Sequence, residues 1–492
     1  MSEGASDCCR RTSAAARPDP AVLTPAGLSA GTGRVASALA ARGVRPDQVV
    51  LLSAANSAGF AEVLLGLMRY GTGIALLSPG RPATELARAA AEAGAAWVIS
   101  DNPAHRRELG TGTGLLSVAE LTDDPHHAGT GARPSFERWA ARADGLICWS
   151  SGSTGAPKAI VRSGQSVLDN IERTARRMRY RSDDLIAPLL PFSHQYGMSL
   201  ILLAWHTGAS LLIAPHTRPD RALPLLAEHR ATVVDATPAT YRSVLNLLRR
   251  RPALAAALGE VRMWCTGGAP LVDHLRAEFA TQTGKPLLDG YGSTELGNIA
   301  LAGPDAPEYC EPLDGVRVRV TDQRGRALPA GQVGEVWVEA PDVMVGTLVA
   351  GTLLPTVPGA FPTNDIGYLD PRFGLRIVGR KKAVHRRGYT LFPDYLAHRA
   401  EECGQPVQVV PVEREPDEWR LVFVIEDPAR GPAAQWRERF KLIFAPHELP
   451  DRIVVLERFP QLATGKRDAR RIRELAVANT RHRRPGPAAN PT

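Results

Sequence analysis

Short runs that are apolar at nearly every position alternate with segments of helical spacing, and this pattern constrains the chain more than any other feature. RVASALAARGV has helical periodicity and closes at Gly43, and QVVLLSA follows as a buried strand. FAEVLLGLMRY, GIALLS, ATELARAAAEAG and WVIS repeat the alternation. A strand apolar on both faces has to be covered on both, and a helical crossover brings the next strand in parallel. Parallel sheets covered by helices are therefore predicted. The pattern returns in LIAPLL, a long helix, SLLIAP, TVVD, TPATYRSVLNLLRR, VRMWC and a helix near 271–283.

At 492 residues the chain is roughly three times an ordinary domain, too long for one core. The texture changes after about Pro312, where VRVRVTDQRGRALPAGQVGEVWVEA alternates apolar and polar residues around Gly- and Pro-rich turns, as antiparallel hairpins do. From about residue 381 the strands VQVVPV, RLVFVIE and RIVVLE, with helices between them, form a lobe of roughly a hundred residues. The expected architecture is α/β: a large N-terminal domain of helix-covered sheets plus a β-rich subdomain over 21–380, and a small C-terminal α+β domain over 381–476. Residues 1–20 are expected to be a disordered leader, without the apolar stretch that a secretory signal needs, and residues 477–492 a disordered basic tail.

Composition removes other classes. With 44% hydrophobic and 22% charged residues the chain is globular. Its net charge of +8 is modest for the length, and 53 of the 59 basic residues are Arg. Clusters such as Arg249-Arg250-Arg251 therefore read as a solvated face, and no nucleic-acid partner is expected. The apolar stretch from Met198 to Pro215 is broken by Trp205-His206-Thr207-Gly208, which points to a buried helix followed by a buried strand and to no membrane partner. The six cysteines contain no C-x-x-C and are too sparse to staple the chain, so a reduced, cytoplasmic setting is expected.

The most informative segment is CWSSGSTGAPKAIV, from Cys148 to Val161. A strand, GLICW, runs into Ser150, Ser151, Gly152, Ser153, Thr154, Gly155, Ala156, Pro157 and Lys158. Small residues let backbone N–H groups approach phosphate oxygens, while the hydroxyls and Lys158 add donors and charge. Pro157 occupies the second Gly position of a Walker loop and excludes that motif. The segment resembles the phosphate-binding loop of adenylate-forming enzymes, the superfamily of acyl- and aryl-CoA synthetases, luciferases and peptide-synthetase adenylation domains. Their pattern is an aromatic followed by T/S-S-G-T/S-T-G-x-P-K-G; Trp149 supplies the aromatic, and Ala159 stands where Gly is usual.

Five more segments resemble family motifs in the family's order: GTGIALLSPGRPATEL, TGGAPL, GYGSTELG, the stretch from DQRGRALPAGQVGEVWV through TNDIGYLDPRFGLRIVGRKK, and ATGKRDAR. Together they span about residues 20–475. The resemblance implies two half-reactions. A carboxylate attacks the α-phosphorus of ATP, giving an acyl-adenylate and pyrophosphate; a nucleophile then takes the acyl group and releases AMP. Charge building around phosphorus calls for positioned cations and donors. By this resemblance Lys466 bridges carboxylate and α-phosphate, and Glu295 holds Mg²⁺ with help from Thr154. Asp365 accepts the ribose hydroxyls, with Arg380 in support; the family's T-G-D reads Thr363-Asn364-Asp365. Asp289, Gly290, Tyr291, Gly292, Ser293 and Thr294 belong to the second nucleotide loop. Thr266, Gly267, Gly268 and Ala269 line the acyl and adenine region. Lys382 falls at the hinge about which a mobile C-terminal domain is expected to swing.

Amino-acid-activating relatives place an Asp in the segment that reads PFSHQYGMS here. Phe192, Ser193, His194, Gln195 and Tyr196 offer no carboxylate, which favours an aryl or acyl acid; His194 matches a family His bordering the acyl pocket. Past the hinge, His385 replaces a usual Lys and Tyr395 a usual Glu, while Gly388, beside which a pantetheine arm would pass, is kept. CoA is the leading acceptor. A carrier-protein phosphopantetheine, an amine or nitrite stay open, as does a nucleotide-binding protein without turnover, against which the intact Lys466, Glu295 and Asp365 argue.

Overall fold

The computed structural model describes residues 21–123, 134–150, 158–322, 324–381, 384–386, 389–415, 418–444, 448–462 and 467–478. Two large sheets form as the alternation predicts. One sets Leu146–Ser150, Gly73–Leu76, Val49–Leu52, Ala95–Ile99 and Gly114–Leu116 side by side in parallel. The other runs Ser210–Ile213, Leu185–Pro188, Val233–Ala236, Met263–Gly267 and Leu287–Ser293 in parallel.

Period-2 alternation sorts the strand residues into layers. Val50, Leu52, Ile74, Leu76, Ile186, Leu211, Val233 and Met263 point into one core between the sheets. That core is filled by the helices Pro25–Ala41, Ala58–Tyr70, Gly164–Met178 and Gln195–Thr207. Leu51, Ala75, Val98 and Ile147 face outward beneath Ala83–Glu92. Ala187, Leu212, Val234 and Trp264 face outward beneath Pro219–Glu228, Pro238–Arg250 and Asp273–Thr283. Helices buried between two sheets have no polar face to show, so FAEVLLGLMRY and QYGMSLILLAWHT are apolar at most positions around the helix. The second of these ends at Gly208, in the left-handed region, and gives way to the strand at Ser210. No helix among the described residues is long and apolar enough to cross a membrane.

The first helix differs from expectation: it begins at Pro25, well before Arg34, capped by the Thr24 side chain, which accepts from the Gly27 N–H. Its glycines mask the helical pattern in sequence, yet Gly31 is required by packing, because a Cβ there would lie 2.2 Å from Glu62 Cδ on the neighbouring helix.

The β-rich stretch is no separate sheet. Gly297–Ala302 and Cys310–Pro312 add antiparallel strands to the second sheet, and the Cys310–Gly374 pair joins them to Gly374–Arg380, Phe361–Asp370, Gly334–Glu339 and Arg317–Thr321. The hairpin of Gly346–Val349 and Thr352–Pro355 leaves this group and pairs with Lys158–Arg162 of the first sheet. In the C-terminal unit, Val407–Glu415, Glu418–Glu426 and Arg452–Leu456 form a three-stranded sheet. Pro393–Ala400 and Ala433–Lys441 cover one face and Ala469–Ala478 the other. That last helix runs two residues beyond the expected boundary at 476; the leader and the rest of the tail lie outside the described residues.

Candidate active site

The strand Leu146–Ser150 returns as Lys158–Arg162, with Ser150 opposite Lys158. The expected phosphate loop is therefore the hairpin connection at the end of a parallel sheet. Trp149 anchors its first strand by donating to Glu92 Oε2 at 3.0 Å. Ser151, Gly152, Ser153, Thr154 and Gly155 lie outside the described residues, as do Lys382 and Lys466.

Asp365, on Phe361–Asp370, pairs across the ladder with Arg380. Its carboxylate is buried and held at both oxygens: the Tyr291 hydroxyl donates to Oδ2 at 2.6 Å, and Arg380 Nε stands 2.9 Å from Oδ1. Its backbone N–H donates to Thr363 Oγ1 at 3.2 Å, and the Thr363 hydroxyl donates to the Val336 carbonyl at 2.8 Å. Burial pushes the Asp365 pKa up, Arg380 and the Tyr291 bond pull it down, and Glu295 adds an upward push. Asn364 has φ of 58°. Asn tolerates this left-handed conformation better than most residues, so the loss of the family's Gly keeps the turn.

Tyr291 and Glu295 come from one strand–turn–strand. Leu287–Ser293 pairs antiparallel with Gly297–Ala302, so the GYGSTELG segment, expected as a loop, is mostly strand, and Thr294, Glu295 and Leu296 make the turn. Close pairing excludes a side chain at Gly292, whose Cβ would lie 2.7 Å from the Gly297 carbonyl oxygen. Gln195 braces the turn from the start of its helix. With the amide turned to match its neighbours, its nitrogen donates to the carbonyls of Thr294 (3.0 Å) and Ser293 (3.2 Å), and its oxygen accepts from Arg162 Nη1 (2.9 Å). Arg162 is fully buried; burial pushes its pKa down to about 10, against the opposing pull of Asp342, Cys148 and Glu295. Sequence reasoning missed Arg162, although an arginine closing the apolar strand KAIVR was the available signal.

The remaining expected residues divide. Lys158 is exposed at the start of its strand. His194 is exposed at the N-cap of Gln195–Thr207. Gly267 ends the strand Met263–Gly267, and a Cβ on it would lie 3.2 Å from the Tyr196 ring; Gly268, with φ of 77°, and Ala269 follow in exposed loop. Gly290 sits beside Gly267 in the parallel ladder. Asp289 is ion-paired, with Arg276 Nη2 3.4 Å from its Oδ2. On the C-terminal side, Asp394 accepts from the Arg380 backbone N–H at 3.0 Å, and Glu401 pairs with Arg242 of the large unit at 2.7 Å. Cys148, Cys265, Cys310 and Cys403 are unbridged thiols.

The arrangement thus gathers a buried carboxylate and a tyrosine from two separate strands of one sheet, a second carboxylate at a braced turn, and cations at the rim. Comparison with known proteins gives a consistent result. The family model described as AMP-binding enzyme matches residues 9–348. The indoleacetate–CoA ligase of Aromatoleum aromaticum is 27% identical over 357 residues, 68% of this chain and 68% of its own. The 2-succinylbenzoate–CoA ligase of Enterococcus faecalis is 26% identical over 334 residues, covering 65% and 67%. Among solved structures, ATP-bound MatB from Rhodopseudomonas palustris superposes with a TM-score of 0.80 at 26% identity, over 92% of this chain and 93% of that one.

Proposed function

The chain belongs to the AMP-binding enzyme family, and from that premise we propose that it activates an aryl or acyl carboxylic acid with ATP and passes the acyl group to a thiol, CoA foremost. It is an AMP-forming acid ligase. The observation that carries the site assignment is buried Asp365, held by Tyr291 and Arg380 with Glu295 in its field. A carboxylate can accept from both hydroxyls of a ribose, and the two donors around Asp365 fix its orientation before a nucleotide arrives. Glu295 supplies one hard oxygen ligand, which suits Mg²⁺, an ion that completes its shell with phosphate oxygens and water. The ion would neutralise charge on the phosphates.

In the first half-reaction a carboxylate oxygen of the acid bonds to the α-phosphorus and pyrophosphate leaves. Ser150 and Lys158 flank the loop that would cradle the phosphates, with Ser151, Gly152, Ser153, Thr154 and Gly155 in it. Lys466 would meet the charge building at phosphorus. In the second, a thiolate bonds to the acyl carbon and AMP leaves. The swing about Lys382 would remove Lys466 and admit the thiol. The unbridged cysteines support a reducing compartment. A panel of aromatic, cinnamic, fatty and amino acids, each with ATP and Mg²⁺ and with or without CoA, tests the reading by pyrophosphate release. Release with an aryl or acyl acid that CoA enhances is expected; release indifferent to CoA would redirect the acceptor to a carrier protein, an amine or nitrite.

A further inference from the structure

From Val343 to Asn364 the chain carries no charged residue, and the acid just before this stretch, Asp342, is buried at 1% exposure. A carboxylate that gives up its hydration needs partners on both oxygens. They come from the helix Gly164–Met178, where Asn170 and Arg173 share a face at i, i+3 spacing. Arg173 ion-pairs with Oδ1, and Asn170 Nδ2 donates to Oδ2 at 2.8 Å. Arg162 Nη2 donates to the Asp342 carbonyl at 3.3 Å, so two guanidiniums meet this one residue.

Two connections run from Asp342 to the Glu295 turn. Met344, two residues further along the chain, donates its backbone N–H to the Glu295 carbonyl at 2.8 Å. Asn170 reaches the returning strand: its Nδ2 also donates to the Asn298 carbonyl, and its Oδ1 accepts from the Asn298 N–H, both at 2.9 Å. One side-chain amide thus takes both backbone groups of Asn298, as a further strand of the sheet would. It stands so close that a Cβ on Gly297 would lie 2.5 Å from Asn170 Oδ1. The backbone is therefore held at Glu295 itself and again three residues beyond it.

We infer that Asp342 is a positioning residue for metal binding: through Asn170 and Met344 it holds the turn that aims the Glu295 carboxylate. This rests on the metal role given to Glu295 above. Mg²⁺ demands near-ideal octahedral geometry, and the groups that orient a ligand decide how well it is met.

The test follows Mg²⁺ in two variants. Asp342→Asn removes the charge and keeps the shape, but it leaves buried guanidiniums without their counter-ion. Asn170→Ala, which spares the Asp342–Arg173 pair, is therefore measured beside it. Each should raise the Mg²⁺ concentration giving half-maximal pyrophosphate release at least about tenfold. KM for the acid should move less than about twofold, as for sites that share no partner. In a Glu295→Gln background the same substitutions should add no further shift, since residues acting through one carboxylate are not additive. Shifts that persist undiminished in that background, or that fall equally on the acid, would make Asp342 a general support of the fold and overturn the inference. If no acid releases pyrophosphate, the adenylation reading fails by itself, and calorimetric titration of ATP with and without Mg²⁺ decides. A Mg²⁺ enhancement of ATP binding that weakens in Asn170→Ala supports the inference; an enhancement equal to that of wild type, or none in either, overturns it.

Discussion

Lys466 and Asp235 mark the two extremes of what single residues disclose. Lys466 is one of only six lysines in a chain that otherwise uses arginine, and it sits in a T-G-K segment at the far end of an ordered series of motifs. Lys466→Ala should lower adenylation by about 100- to 1000-fold if the ammonium stabilises charge in the transition state. Transfer from a supplied acyl-adenylate should fall much less, and equal losses in both half-reactions would contradict the role. Asp235 was equally present in the sequence, interrupting an apolar strand, but no spacing rule tells which group it will meet across a fold. Burial pushes its pKa from 3.8 to about 7. Between those values the folded chain holds a proton that the unfolded chain releases, so stability falls as pH rises through that window. The thermal midpoint of Asp235→Asn relative to wild type should therefore become more favourable between about pH 5 and about pH 8. A difference that does not change with pH would show that the carboxyl is hydrated.

At the scale of elements, the helices and parallel strands were legible because burial on both faces leaves an unbroken apolar signature. The hairpin Gly346–Val349 with Thr352–Pro355 was not, because its neighbour Lys158–Arg162 is remote in sequence and pairing leaves no mark on composition. GYGSTELG was taken for a loop from its resemblance to a family motif, yet its glycines serve close strand pairing around a three-residue turn. The helix Gln195–Thr207 matters to the site through its first residue, which braces that turn. Gln195→Ala should loosen Glu295 and raise the Mg²⁺ concentration giving half-maximal pyrophosphate release by up to about tenfold. An unchanged Mg²⁺ titration would separate Gln195 from the metal site.

The whole molecule divides its labour between a large unit that carries Asp365, Tyr291 and Glu295 and a C-terminal unit with its own core. The two meet here through Arg242–Glu401 and through Asp394 on the Arg380 backbone, polar contacts on either side of the expected hinge. Polar contacts of this kind exchange readily, as the proposed swing about Lys382 would require. Lys382→Pro restricts the backbone at the hinge and should slow acyl transfer to CoA at least about tenfold more than it slows adenylation. Equal effects on both steps would argue against a swing.

Every role assigned to these residues depends on reversible formation of an acyl-adenylate, and acid-dependent exchange of labelled pyrophosphate into ATP reports that step without involving any acceptor. Exchange that appears only with a carboxylic acid, and that collapses in Lys466→Ala, is the predicted result. ATP binding without exchange for any aryl or acyl acid would contradict adenylation and leave a nucleotide-binding protein without turnover.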